Sequence, residues 1–131
     1  MRKSKINISG FKIGTAENRD GLTGVTVILA PDGGATAGVD VRGCAPGTRE
    51  TDLLDPRKTV QKIHAVVLSG GSAFGLEAAS GCVKYLAEQG VGFPIGNVCV
   101  PIVCSAVLFD LMIGDEKAYP DLLMGYEAAK S

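Results

Sequence analysis

Residues 64–75, HAVVLSGGSAFG, join an apolar run to a helical pattern through a glycine-rich turn. The run 65–68 is typical of a buried strand, and the spacing of apolar residues over 72–89 predicts a helix. A strand that enters a helix through glycines presents backbone N–H groups at one point, where α/β proteins bind anions or build oxyanion holes. The turn is therefore the first candidate site of the chain.

Three interpretations of this turn compete. A nucleophilic Ser72 needs a G-x-S-x-G elbow with a base nearby, but the second glycine comes one residue late and His64 lies a full strand away. A self-contained Ser-His-Asp hydrolase is therefore excluded. A phosphate-binding loop fits the strand–turn–helix order but lacks both the G-x-G-x-x-G spacing and a P-loop lysine. The third interpretation is a structural turn, whose glycines allow close packing of strand and helix.

The residues before the turn predict a β-hairpin. Residues 25–30 are rich in β-branched side chains, Pro-Asp-Gly-Gly follows at 31–34, and residues 35–41 predict a second strand. The first 23 residues are polar and rich in turn formers, with a turn expected at 18–21. An early hairpin argues against a plain doubly wound fold.

The residues after the turn predict a helix, a strand and a second helix. Ser72 is the expected N-cap and Gly90 the expected C-cap of the helix over 72–89, whose first half is unusually rich in small residues and therefore suited to close packing. Residues 99–109, interrupted by Pro101, predict a strand, and residues 122–130 predict the last helix.

Composition excludes several classes of function. The 131 residues suit one domain, 46% of them are hydrophobic, and 13 basic and 14 acidic residues are well mixed. No block of like charge indicates a nucleic acid or a membrane surface as partner, and no segment has the length or character of a secretory signal or a spanning helix. The sequence therefore predicts a cytoplasmic globular protein.

The four cysteines do not indicate a metal site. None forms a C-x-x-C pair, and the single histidine cannot complete a zinc set, so no metal or cofactor is expected. Cys82, Cys99 and Cys104 are expected to be small buried thiols, whereas Cys44 lies in a glycine-rich loop and is expected to be reachable.

The loop at 42–52, RGCAPGTRETD, offers a second candidate site. Arg42 and Arg49 are suited to hold a carboxylate or phosphate. The alternative is a solvated loop in which the arginines pair with neighbouring carboxylates. Composition alone leaves both open.

Three long segments of the chain resemble the N-terminal part of the L-aminopeptidase/D-esterase (DmpA-type) family. They are GLTGVTVILAPDGGATAGVDVRGCAPGTRETDLLDP, HAVVLSGGSAFGLEAASGCVKYLAEQGVGF and VPIVCSAVLFDLMIGD. The family includes self-processing aminopeptidases, β-aminopeptidases and a nylon-oligomer hydrolase. The resemblance runs from about residue 10 to the C-terminus.

This resemblance implies an α+β fold, a four-layer αββα sandwich of which residues 1–131 form a single partial domain. It further implies a precursor that cuts itself before a Ser or Thr, whose hydroxyl then attacks the substrate carbonyl from the start of a separate β chain. No catalytic nucleophile is then expected in this chain. The implied partners are that β chain, further αβ units in a homo-oligomer, and a small peptide or amide substrate.

The resemblance also implies roles for individual residues. The turn aligns with a strand–helix turn that lines the family's substrate pocket, and Asp110 and Asn97 fall near the segment that carries an oxyanion-hole asparagine. A carboxylate repels an oxyanion unless it is protonated or turned away, and a turn role is the alternative for the asparagine. The expected substrate-binding residues are Ser69, Gly70, Gly71, Ser72, Phe74, Arg42 and Arg49.

Two other functions remain as alternatives. One is an acyl transferase subunit similar to ornithine acetyltransferases, which share the self-cleavage and the fold. The other is a non-catalytic module that binds anions or supports assembly through the glycine turn, Arg42 and Arg49.

Overall fold

A five-stranded sheet forms the centre of the computed structural model, which describes residues 8–131. The strands and helices in chain order are β1 (Lys12–Asn18), β2 (Thr23–Leu29), β3 (Thr48–Arg49), β4 (Ala65–Ser69), α1 (Ala78–Glu88), β5 (Phe93–Ile95), β6 (Val98–Val100), β7 (Val103–Val107) and α2 (Leu122–Lys130). The large sheet has the order β1-β2-β4-β7-β3, and β5 and β6 form a separate hairpin. Only β4 and β7 are parallel, and α1 lies in the connection between them.

One face of the sheet carries both helices. Alternate side chains of a strand point to opposite faces, so Val25 and Val27 of β2 and Val67 of β4 lie on the same side. They are buried together with Ala78 and Cys82 of α1. The two helices pack against each other, with α2 over β1 and β2 and α1 over β4 and β7. The core is thus a single layer of small and β-branched side chains between sheet and helices.

On the other face of the sheet, no helix of residues 8–131 lies over β1, β2 and β4. Ile13 is 48% exposed and Leu68, near the middle of the sheet, is 46% exposed. Ile28 and Val66 on the same face are only half-buried. A monomeric soluble protein rarely exposes apolar side chains in the middle of a sheet. Residues 8–131 therefore contain two layers of a mixed α and β fold, with one sheet face open.

The predicted hairpin over 25–41 is wrong. The antiparallel partner of β2 is β1, which precedes β2 in the chain and is joined to it through the turn predicted at 18–21. On its other side β2 pairs with β4, so no edge remains for residues 35–41, which make one isolated bridge between Ala35 and Ile63. The apolar run of β4 competes better for β2 than a segment of small residues does, because strand pairing depends on side-chain packing.

Residues 12–18, expected to be irregular, form β1. Residues 1–7 of the polar start lie outside the described part. The sequence of β1 is a poor strand pattern because it contains Gly14, yet a Cβ at Gly14 would collide with the carbonyl oxygen of Ala128. The glycine is therefore required by the close approach of α2 to this strand, which no local pattern reveals.

The helix predicted over 72–89 begins differently from the expectation. Residues Ser72–Glu77 form 3₁₀ turns, and the α-helix starts only at Ala78. Ser72 is not an N-cap: Gly71 takes that place with φ +79°, and no side chain caps this end. Gly90, just after the helix, has φ +68° and confirms the predicted stop. The close packing expected of the small residues is confirmed, because a Cβ at Gly81 would collide with the carbonyl oxygen of Leu122.

The remaining elements follow the sequence closely. The run 99–109 divides at Pro101 into the end of β6 and the whole of β7, since proline cannot donate to a strand ladder. The last helix is confirmed as α2, where the Asp121 carboxylate accepts a 2.8 Å hydrogen bond from the Met124 N–H as its N-cap. Neither helix in the described range has the length and apolar character needed to cross a bilayer.

Candidate functional site

The glycine turn after β4 uses its backbone N–H groups inside the chain. The Gly70 N–H donates to the Gly24 carbonyl at 2.9 Å, and the Ser72 N–H donates to the Leu108 carbonyl at 3.0 Å. The Gly71 N–H donates to the Oδ1 of Asp110 at 2.6 Å. An anion or oxyanion site needs such donors to be free. As folded, these three donors are not free, which favours the structural interpretation of the turn.

Asp110 sits across the turn and joins it to a third element. Its Oδ2 accepts a 2.7 Å hydrogen bond from the Thr23 hydroxyl at the start of β2. A Cβ at Gly70 would collide with both the Asp110 carboxylate and the Thr23 hydroxyl. Sequence analysis placed Asp110 near an oxyanion donor, but its carboxylate here accepts hydrogen bonds from the turn. Thr23 was missed, because nothing local links residues 87 positions apart.

An open cavity of about 610 Å³ adjoins the turn. Gly70, Asp110 and Thr23 lie on its wall together with Leu108 and the charged side chains of the first hairpin. Among these, Glu17 is paired with Arg19 at 2.7 Å on the surface. The cavity has the size of a small-ligand pocket.

Phe74 lies on the outside of the same turn, 58% exposed. Its ring stacks on Tyr119 with centroids 4.7 Å apart and an interplanar angle of 18°. Such a stacked pair holds both rings in place more firmly than exposure alone would suggest. Tyr119 was not expected from the sequence, because the loop that carries it comes 45 residues later.

The two serines of the turn have different surroundings. Ser69 is buried and its hydroxyl donates to the Gly70 carbonyl at 3.0 Å. Ser72 is half-buried and has φ +52°, a conformation that non-glycine residues rarely adopt. His64 lies at the opposite end of β4 from Ser72, which agrees with the exclusion of a Ser-His pair in this chain.

Arg42 and Arg49 are engaged separately. Arg42 pairs with Asp40 at 2.6 Å in an exposed loop, as the solvated interpretation expects. Arg49, on the short strand β3, donates to the hydroxyl of Ser80 on α1 at 2.7 Å. Neither arginine lines the cavity at the glycine turn.

Asn97 lies in the turn between β5 and β6, beside Gly96 with φ +57°. It is exposed, and it does not line the cavity at the glycine turn. The structure places it in the turn role that the sequence left as the alternative.

The four cysteines are free thiols that differ in burial. Cys82 and Cys104 are buried, whereas Cys44 and Cys99 are exposed, so the expectation of a buried Cys99 is wrong. Cys99 lies on β6, which pairs with β5 in a separate two-stranded sheet and whose three residues are all exposed. Burial raises the pKa of Cys82 to about 12, which makes its thiol unreactive. Within residues 8–131 no three side chains among His, Cys, Asp and Glu come close enough to hold a metal ion.

His64 links the starts of β4 and β7. The imidazole is 6% exposed, and its Nδ1 accepts a 3.0 Å hydrogen bond from the Ile102 N–H. This bond requires an unprotonated Nδ1. Burial places the pKa of His64 below its usual value, because desolvation disfavours the charged ring.

This contact predicts a loss of stability on mild acidification. Between the folded pKa and the unfolded value of about 6.5, the unfolded chain binds more protons, so stability is complete above pH 6.5 and falls as the pH drops towards the folded pKa. We expect His64→Asn, whose Oδ1 can accept the same N–H, to remove this part of the pH dependence. Urea unfolding from pH 7 to pH 5 measures it, and parallel curves for both proteins would contradict the prediction.

Comparison with known proteins assigns the chain to a family. The model of peptidase family S58 matches residues 5–130. An uncharacterized aminopeptidase of Mycobacterium leprae is 44% identical over 133 residues, covering 95% of this chain and 36% of that protein. An uncharacterized aminopeptidase of Mycobacterium tuberculosis H37Rv is 50% identical over 105 residues, covering 80% of this chain and 30% of that protein.

A third relative has a more specific name. The 6-aminohexanoate-oligomer endohydrolase of Kocuria sp. is 34% identical over 124 residues, covering 95% of this chain and 32% of that protein. The chain thus spans about a third of the length of the curated relatives it matches. The match to almost every residue confirms the resemblance carried by the three long segments: the chain belongs to peptidase family S58, the DmpA/L-aminopeptidase family.

Proposed function

We propose that this chain is the α part of a self-processing hydrolase that cleaves N-terminal residues from peptides, amides or esters. The attacking Ser or Thr lies outside residues 1–131, at the start of a β chain made by self-cleavage. Family membership and the names of the relatives, aminopeptidase and 6-aminohexanoate-oligomer endohydrolase, support amide hydrolysis.

The observation that carries this proposal is the open face of the sheet. One face is covered by α1 and α2, while the other exposes Ile13 on β1 and Leu68, which comes just before the end of β4. A second sheet with its own helices, packed on this face, would complete a four-layer sandwich. The relatives are long enough to supply it, since this chain matches only about a third of each. The cavity at the turn would then lie between the layers.

The described residues also support an external nucleophile. Ser72 has no histidine within reach, and the N–H groups of Gly70 and Gly71 are used internally. The side chains at the turn therefore form a wall for a substrate and leave the attack on the carbonyl to another segment. Assembly into oligomers of αβ units belongs to the same proposal.

The direct experiment is mass spectrometry and assay of the full-length protein. We expect two chains, the second beginning with Ser or Thr, and hydrolysis of aminoacyl p-nitroanilides or short 6-aminohexanoate oligomers. Replacing that Ser or Thr with alanine should leave one uncut, inactive chain. A full-length protein that is active without cleavage, or that cleaves no amide or ester, would contradict the proposal. Acetyl transfer to glutamate in place of hydrolysis would identify the acyl transferase alternative.

The open face gives a separate test of the architecture. We expect Leu68→Glu to lower the free energy of unfolding of the full-length protein by about 2 kcal/mol, because a carboxylate would be buried between two sheets. Leu123→Glu, at a 64% exposed position of α2, is the matched control and should change it by less than about 0.5 kcal/mol. Equal, small effects of both changes in urea unfolding would mean that no second layer covers β4.

A further inference from the structure

We propose that Asp110 is a positioning residue of the candidate site, which sets the shape of the glycine turn through hydrogen bonds and not through its charge. The inference rests on the proposed hydrolytic function and adds a specific role for one side chain. Asp110 bonds to the turn and to β2 at once, and it lines the cavity beside them.

Among the side chains of residues 8–131, that of Asp110 alone accepts a hydrogen bond from the backbone N–H groups of residues 70–72, at Gly71. The neighbouring N–H groups, of Gly70 and Ser72, donate to main-chain carbonyls. Gly71 itself has φ +79° and is buried, so its N–H needs a partner inside the protein. Removing the Asp110 side chain would leave the buried Gly71 N–H without its acceptor, at a residue whose φ is positive.

The carboxylate is held firmly where it bonds. Leu108, two residues earlier, donates its N–H to the Ser69 carbonyl at 3.0 Å and accepts from Ser72. The Asp110 carbonyl accepts a 2.8 Å hydrogen bond from the Ile113 N–H, which closes a turn directly after it. Backbone hydrogen bonds thus hold the segment after β7 on both sides of Asp110. The carboxylate is therefore held in place, and its hydrogen bond holds Gly71 in place as well.

The conformation of the glycine turn determines the position of the cavity wall that it forms. Gly70 lines the cavity, and Phe74 lies four residues later, on the 3₁₀ turns that begin at Ser72, where its ring stacks on Tyr119. A displaced Gly71 would shift this wall relative to a substrate carbonyl. Misplacement by about 1 Å is enough to cost about a hundredfold in rate.

A role through charge makes a different prediction from a role through hydrogen bonds. A carboxylate that bound a substrate ammonium would require the negative charge. Asparagine has the same shape, keeps an oxygen for the Gly71 N–H, and can donate its amide to the Thr23 hydroxyl, which accepts as well as donates. Alanine removes both hydrogen bonds. The pair Asp110→Asn and Asp110→Ala therefore separates the two roles.

The experiment uses full-length protein and steady-state hydrolysis of an aminoacyl p-nitroanilide. We expect Asp110→Ala to lower kcat about ten- to a hundredfold with a smaller change in KM, and Asp110→Asn to restore kcat to within about threefold of the original. A KM that rises equally in both variants would assign the charge to substrate binding and overturn the proposal.

Hydrogen exchange at the Gly71 amide provides a readout that does not depend on activity. Protection should fall in Asp110→Ala and persist in Asp110→Asn. If Asp110→Ala does not fold, Thr23→Val removes one of the two hydrogen bonds and should lower Gly71 protection by a smaller factor. Unchanged protection in the tested variant would overturn the proposal. A full-length protein that hydrolyses nothing would refute the proposed function alone, and the exchange result would still decide the role of Asp110.

Discussion

Replacing Gly75 with alanine is expected to cost about 3 kcal/mol or more of the free energy of unfolding and to abolish activity of the full-length protein. Gly75 is buried in the 3₁₀ turns, and a Cβ there would collide with the Gly70 carbonyl oxygen and approach the Ser69 hydroxyl to 2.7 Å. The carbonyl belongs to the backbone of the turn, which is fixed by β2 through the Gly70 N–H. The neighbour cannot move aside without disrupting the turn.

Urea unfolding and the hydrolysis assay measure this effect. Ala73→Ser, two residues earlier at an exposed position of the same 3₁₀ turns, is the matched control and should stay within about 0.5 kcal/mol. A Gly75→Ala protein with the midpoint of the control would show that the turn relaxes easily, and that its tight geometry is not required.

Gly125→Ala is the second large effect, and two physical terms oppose each other there. Alanine is favoured over glycine in a helix by about 1 kcal/mol, so propensity alone predicts a more stable protein. A Cβ at Gly125 would collide with the carbonyl oxygen of Ala78, where α2 crosses α1. Moving the two packed helices apart destabilises the protein by more than the higher helix propensity of alanine stabilises it. We therefore expect the free energy of unfolding to fall by about 3 kcal/mol or more.

Gly38→Ala is the control for the exchange of glycine for alanine. A Cβ at Gly38 meets no atom within 4 Å, so this change should be close to neutral. If Gly125→Ala raised the urea midpoint, propensity would dominate and the helices would not be held as closely as the backbone positions indicate.

Elements with a clear local pattern were predicted correctly from the sequence, and elements that depend on distant contacts were not. The strand 65–69, the helical segment after the turn and the last helix were predicted, because each has a clear apolar period and a local stop or cap. The first strand was missed, because Gly14 makes a poor strand and is present only to admit α2. The hairpin over 25–41 was misassigned, since strand pairing depends on which distant segment offers the better packing.

At the candidate site, too, the sequence predicted some residues and missed their partners. The sequence located the glycine turn and named Asp110 as a residue of the region, but it predicted neither Thr23 nor Tyr119 as their partners. Arg42 and Arg49, grouped by sequence, have unrelated contacts with Asp40 and Ser80. Proximity in the chain does not determine the direction of a long side chain, and contacts across 87 residues have no local signal.

The sequence by itself determined the family, the position of the turn and the separation of Ser72 from His64, because these depend on residue identities and short spacings. The tertiary structure decided what the turn does with its N–H groups, which strand pairs with β2, and which face of the sheet stays open. These outcomes depend on long-range packing, because each buried N–H of the turn bonds to an acceptor that the fold brings within reach. For Gly71 that acceptor is the carboxylate of Asp110, and for Gly70 and Ser72 it is a main-chain carbonyl.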